Sequence, residues 1–260
     1  MSDQRRVCLL TGSSGLLGTA FCRRLASRYQ IVAVWRTNPP AVATQDQRFV
    51  DPLDPTSELH ENDHRVLAMR ADLLSARQTE RLVERVLRRF GRVDLIVNAA
   101  AHRQWGALVD DTDLRRNIDR HFSTNVRAPL CLTVEVARQF WQGRAADNHA
   151  ANRNVINLSS TAGLRVYPGY GQSLYSASKA ALDFVSCHLA SELAPHSVRV
   201  NALAPNTFPG IVRTEAVLDS MVRLDDGAMT GKVLMLDANT ERWYDLVNDW
   251  EDEPRSRASG

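Results

Sequence analysis

The chain has 260 residues, 32 Lys+Arg against 30 Asp+Glu and a formal net charge of +2, with 44% hydrophobic and 24% charged residues. That length holds one or two domains, that composition packs a core and excludes wholesale disorder, and the near-neutral balance gives no reason for a nucleic-acid or acidic-membrane partner. Only two of the basic residues, Lys179 and Lys232, are lysines, so the place where a lysine falls carries information.

The opening segment, Met1–Arg6, is followed by only four apolar residues, Val7–Leu10. That is too short for a secretory leader, and no stretch approaches the roughly 18 apolar residues of a membrane helix. Cys8, Cys22, Cys131 and Cys187 are widely scattered with no CxxC pair, which argues against a disulfide-stapled secreted fold. A cytoplasmic protein with no membrane partner is expected.

Short apolar runs then alternate with longer amphipathic ones. Strands are predicted at Val7–Leu10, Ile31–Trp35, Val66–Met69, Val93–Val97, Val155–Leu158, Val198–Leu203 and Val233–Leu236. Ser75–Phe90 reads as a helix, with Leu82, Val83, Val86, Leu87 and Phe90 at helical spacing. Strands separated by helices pair in parallel, and strands apolar throughout are covered on both faces. The expected fold is a single α/β domain, residues 1–237, with a doubly wound, Rossmann-like parallel sheet of about seven strands. Two segments look inserted: Asn38–Arg65, rich in Pro and Asp, and the polar Gln142–Arg153, read as a surface loop.

The first strand runs into Thr11-Gly12-Ser13-Ser14-Gly15-Leu16-Leu17-Gly18. Glycines at such a strand-to-helix turn let the backbone approach a pyrophosphate, whose charge meets the free N–H groups of the helix. An ordinary tight turn is the alternative. The second strand ends Val34-Trp35-Arg36-Thr37, without the acid that receives a ribose 2′-OH and with an arginine that suits a 2′-phosphate. NADP(H) is therefore expected over NAD(H).

Tyr175 and Lys179 stand four apart, on one face of a predicted helix. An ammonium near a phenol favours the phenolate and brings it toward the range of an acid/base catalyst. With five tyrosines and two lysines in 260 positions, roughly 0.04 such pairs arise by chance.

At this point the sequence resembles the short-chain dehydrogenase/reductase family along nearly its whole length. The matching residues are Thr11–Gly18, Asp72-Leu73, Asn98-Ala99-Ala100, Asn125, Ser159-Ser160, the YxxxK pair at Tyr175 and Lys179, Asn201–Pro205 and Pro209–Thr214. The resemblance implies a catalytic set of Asn125, Ser160, Tyr175 and Lys179. Tyr175 would exchange a proton with the substrate oxygen, Lys179 would lower its pKa and hold the nicotinamide ribose, Ser160 would bond the reacting oxygen, and Asn125 would hold a relay water. It further implies that Gly12, Ser14, Gly15, Leu16 and Gly18 surround the pyrophosphate and Arg36 the 2′-phosphate. Asp72 and Leu73 would border the adenine, and Asn98, Ala99 and Ala100 the adenosine ribose. Pro205 would border the cofactor, and Val212 and Thr214 would hold the carboxamide.

Departures from the family pattern also stand in the sequence. The glycine spacing is that of the family's larger members acting on sugar nucleotides, and Ser160 precedes Tyr175 by 15 positions, the extra residues falling in Tyr167–Gly171. Only Glu215–Thr230, with one helix at Glu215–Leu224, separates Thr214 from the last strand, so the substrate cap is short and the site open or completed by another subunit. In the tail, 238–260, Trp243, Tyr244, Leu246, Val247 and Trp250 fall at roughly helical spacing. They suggest a subunit contact, a lid, or a helix packed on its own domain.

His60-Glu61-Asn62-Asp63-His64 reads H-E-x-x-H, a zinc-peptidase signature that needs a packed helix. Here it is polar and follows a Pro/Asp-rich stretch, so a solvated loop is expected and no metal. The leading functional expectation is an NADPH-dependent reduction of a small-molecule carbonyl to an alcohol. The alternatives are oxidation of an alcohol or sugar derivative, or a non-catalytic NADP(H)-binding regulator. A homodimer or homotetramer is expected. Leu164, Tyr167, Tyr170, Phe208 and the His102–Trp105 loop are candidate substrate neighbours.

Overall fold

The computed structural model describes residues 5–45, 65–238 and 240–246. Its strands are β1 (Arg6–Thr11), β2 (Tyr29–Trp35), β3 (Val66–Arg70), β4 (Leu95–Asn98), β5 (Asn154–Leu158), β6 (Arg199–Pro205), β7 (Lys232–Asp237) and β8 (Thr240–Asp245). They form one sheet in the order β3-β2-β1-β4-β5-β6-β7-β8. The first seven run parallel; β8 is antiparallel to β7.

The helices are α1 (Leu16–Leu25), α2 (Ala76–Phe90), α3 (Leu114–Phe122), α4 (Ala128–Val136), α5 (Ala145–Ala150), α6 (Ser173–Leu193) and α7 (Thr214–Asp226). Successive side chains of a strand point to opposite faces, and β1 shows the consequence. Val7 and Leu9 pack with Leu82, Val86, Leu132 and Val136 of α2 and α4, whereas Cys8 and Leu10 pack with Phe21, Val217 and Met221 of α1 and α7. A doubly covered strand is apolar throughout for this reason, and burying each such Leu or Val stabilises by about 1.5–3 kcal/mol. Ser75 caps α2, its side chain accepting from Gln78 N–H.

Three expectations change. The aromatic tail forms β8 rather than a helix: Trp243 is 40% exposed, and Tyr244 Oη donates to Met235 Sδ at 3.7 Å. A short run such as Trp243-Tyr244-x-Leu246 satisfies both periods, and pairing with β7, closed by a Lys232–Asp245 ion pair, selects the strand. Val247 and Trp250 lie outside the described residues. Second, Gln142–Arg153 is no plain surface loop. It contains α5, whose fully buried Asn148 donates to the Trp141 and His196 carbonyls, both at 2.8 Å. Third, the helix after Thr214 runs from Thr214 to Asp226 and buries Val217, Leu218, Met221 and Leu224 in the core, so it is not a substrate cap. Most of the Asn38–Arg65 insertion, with the H-E-x-x-H segment, lies outside the described residues.

Candidate active site

In a parallel α/β sheet the carboxyl ends of the strands open a crevice where the strand order reverses, here between β1 and β4. A cavity of about 740 Å³ occupies that edge. The register sets the strand ends level with one another: Thr11 of β1 pairs with Asn98 of β4, and Asn98 with Asn157 of β5.

Thr11, Gly12, Ser14, Gly15, Leu16 and Gly18 line one end of this cavity. Gly12 has φ +68°, and a Cβ there would stand 2.7 Å from Ala100 N, so only glycine fits. The Thr11 hydroxyl accepts from Ala99 and Ala100 N–H, both at 3.1 Å, locking the turn to the end of β4. Gly15 caps α1 with no side-chain bond, which leaves the helix N-terminus bare at the cavity wall. Uncapped N–H groups beside a backbone cradle suit an anionic pyrophosphate, so the residues present fit the dinucleotide.

Trp35, Arg36, Thr37 and Asn38 form the wall beyond β2, and Asp72 and Leu73 the wall after β3. Arg70 lies over the Trp35 ring at 5.6 Å and donates through Nε to Arg36 O at 3.1 Å. Asp72 Oδ1 accepts from Leu74 N–H at 3.0 Å, a local turn that sets its direction.

Ser160, Tyr175 and Lys179 line the other end. Lys179 is 2% exposed and donates to Leu158 O at 2.6 Å, with Nζ 5.8 Å from the Tyr175 ring centre. Its pKa is lowered to about 8, chiefly by burial, with the Asp183 charge opposing and the Arg103 charge adding to the fall. Tyr175 is not shifted as the sequence suggested. Burial raises its pKa, opposed by a hydrogen bond with Ser160 and by the Arg103 charge. Desolvation of a phenol outweighs cations placed beside rather than on its oxygen. Asp183, one turn beyond Lys179, is 1% exposed, its carboxyl buried near Ser159 and the Lys179 charge.

Asn125 does not line the cavity. It lies fully buried in a π-helical stretch, Ser123–Arg127, between α3 and α4. Its Nδ2 donates to Ser178 Oγ at 2.9 Å and to His102 O at 3.0 Å. Such bulges turn one side chain out of the helical register and recur at functional sites.

Asn98, Val212 and Thr214 are also off the wall. Asn98 is 2% exposed and spends its amide on Asn157 Oδ1 at 2.8 Å; Val212 is in the core. Ala99, Ala100 and Pro205 do line the cavity, with Thr207, Phe208, Pro209 and Ile211 along the stretch before α7. Of the substrate neighbours expected, Arg103, Trp105, Tyr167, Tyr170 and Phe208 are on the wall and Leu164 is packed away. Gln172 is on the wall without having been foreseen, because a glutamine at a helix start carries no signal of its own.

Residues 6–221 match the family model for short chain dehydrogenase. The chain is 29% identical over 217 residues to an uncharacterized oxidoreductase, YjdA, of Bacillus subtilis (strain 168), covering 83% of this chain and 80% of the relative. It is 27% identical over 217 residues to an acetoacetyl-CoA reductase of Allochromatium vinosum, covering 82% and 77%. Among solved structures, a short-chain dehydrogenase/reductase from Serratia marcescens superposes with a TM-score of 0.69 at 25% identity, over 90% of this chain and 96% of the other.

Proposed function

The chain belongs to the short-chain dehydrogenase/reductase family of NAD(P)-dependent oxidoreductases, and from that premise we propose that it uses NADPH to reduce a carbonyl of a small molecule to an alcohol. The observation that carries this reading is that Tyr175 and Ser160 face one cavity with the glycine turn and Arg36, with Lys179 beneath them. When bound, the nicotinamide supplies the hydride.

The chain's own residues do the rest. Tyr175, its pKa raised, keeps its proton at neutral pH, the form that can donate to a carbonyl oxygen. Ser160 offers a second hydrogen bond to that oxygen as negative charge develops on it. Lys179 holds a positive charge below the phenol, and Asn125, reaching Ser178 and the His102 backbone, positions the helix that carries both. Gly12–Gly18 would hold the pyrophosphate. Arg36, whose guanidinium has no partner among the described residues, stands at the end of β2 where no acid takes its place and would take the 2′-phosphate.

The reading includes a homo-oligomer in the cytoplasm. The exposed Ile118 and Phe122 of α3 and Phe184 of α6 support the first, and the scattered free cysteines the second. Among the described residues no helix is long and apolar enough to cross a membrane.

A carbonyl panel followed by NADPH absorbance tests the reading. Tyr175→Phe should cut kcat about 10²–10⁴-fold while still binding NADPH. Arg36→Ser should raise KM for NADPH and leave KM for NADH unchanged. Preference for NADH in the unmodified protein, or full turnover by Tyr175→Phe, would overturn it.

A further inference from the structure

The substrate end of the cavity is framed by the loop after β4 and the loop before α6. They meet backbone to backbone: Gly106 N–H donates to Gly171 O at 2.9 Å, and a Cβ on Gly171, whose φ is +60°, would stand 2.7 Å from Gly106 C. The seam joins the loop that carries Arg103 and Trp105 to the loop that carries Tyr167 and Tyr170, and all four line the cavity. Trp105 and Tyr170 are 56% and 62% exposed, large apolar faces turned to solvent at the mouth of the site.

Charge is distributed unevenly along the wall. Asp72 is the single acid among the described lining residues, and it stands with Arg36 at the glycine-turn end. Among the described residues, the lining at the Tyr175 end carries two cations and no carboxylate. Lys179 is buried and bonded to Leu158 O. Arg103 is exposed and has neither an ion pair nor a hydrogen bond among the described residues. Its charge nevertheless reaches the catalytic end, lowering the pKa of both Tyr175 and Lys179. A guanidinium with a planar fork and no partner, beside aromatic walls, is suited to a carboxylate on an apolar body.

We propose that Arg103 is the anion-binding residue of the substrate site, and that the substrate is an oxo acid whose carboxylate pairs with Arg103 while its apolar part lies against Trp105 and Tyr170. The proposal rests on the reductase reading for its chemistry but on Arg103 for its ligand. A cationic carbonyl compound would meet two like charges and be rejected.

The test is a panel of short and long, alkyl and aryl oxo acids, each measured against its methyl ester with NADPH. The acids should exceed their esters by roughly tenfold or more in kcat/KM, a difference carried by KM. Arg103→Gln should erase that gap with KM for NADPH unchanged, and Arg103→Lys should restore part of it. Equal turnover of acids and esters, or an Arg103→Gln defect in KM for NADPH instead, would overturn the assignment. If nothing is turned over, quenching of tryptophan fluorescence by the same acids and esters separates the two readings. Acids that bind to the unmodified protein but not to Arg103→Gln uphold the subsite while the reductase reading falls; acids that bind no better than esters overturn the subsite itself.

Discussion

Asn125 grips His102 by both of its backbone polar groups: Oδ1 accepts from the His102 N–H at 2.7 Å, and Nδ2 donates to the His102 carbonyl at 3.0 Å. The π-helical stretch that interrupts the run from α3 to α4 thus anchors the loop that carries Arg103 and Trp105. Removing the amide leaves two backbone groups of His102 without those partners. Asn125→Ala is therefore expected to lower unfolding free energy by about 1–3 kcal/mol. It should also lower kcat, because Ser178, one residue before Lys179, loses its bond from Nδ2. Urea melts and steady-state rates on one preparation check both.

Asp183 and Lys179 give the protein an unusual pH dependence. Burial raises Asp183 from 3.8 to about 7 and lowers Lys179 from 10.5 to about 8. Between about pH 4 and pH 7 the folded chain keeps a proton on Asp183 that the unfolded chain has released, so stability falls as pH rises. From about pH 8 to 10.5 the unfolded chain keeps a proton on Lys179 that the folded chain has released, so stability rises again. Asp183→Asn should remove the acidic-side decline while leaving the alkaline rise. It should also move the alkaline limb of kcat/KM to lower pH, since the Asp183 charge helps keep Lys179 protonated. An unmoved limb would make Asp183 a packing residue only.

Gly12 should tolerate no side chain. Gly12→Ala places a Cβ 2.7 Å from Ala100 N and 2.8 Å from Ala100 Cα in a left-handed conformation. The φ alone costs roughly 1–2 kcal/mol, and the clash forces the glycine turn off the end of β4. The expected outcome is a lower Tm together with loss of NADPH binding, read by thermal melts and by cofactor fluorescence.

At the opposite edge of the sheet Asp94 is fully buried. It accepts from Arg92 Nε at 2.6 Å, from Arg92 Nη2 at 2.8 Å, from Arg153 Nε at 3.3 Å and from Val7 N–H at 2.9 Å. Asp94→Ala removes the carboxylate partner of two guanidinium groups, that of Arg153 nearly buried, and should cost about 3–5 kcal/mol. Because the strands' carboxyl ends carry the cavity, KM for NADPH should not change in protein that remains folded. Guanidinium melts and cofactor titration separate the two effects.

The sequence by itself determined the seven parallel strands and their alternation with helices, since doubly covered strands must be apolar throughout and amphipathic helices must repeat near 3.6 residues. It also determined that Tyr175 and Lys179 share a helix face and that a glycine turn follows the first strand, because those relations span only a few residues. The strand β8 was not legible: Trp243-Tyr244 fits either period, and only the free edge of β7 decides. The walls of the cavity were legible only in part: the glycine turn, Arg36, Asp72, Ser160 and Tyr175 line it as expected, but Asn98, Asn125, Val212 and Thr214 do not. Asn98 turns its amide to Asn157 on the neighbouring strand, and Arg103 shares a cavity with Tyr175 where Gly106 meets Gly171 across two loops. Side-chain direction at a strand end, and the charge felt by a buried phenol, depend on neighbours distant in the chain, and the tertiary structure alone brings those neighbours together.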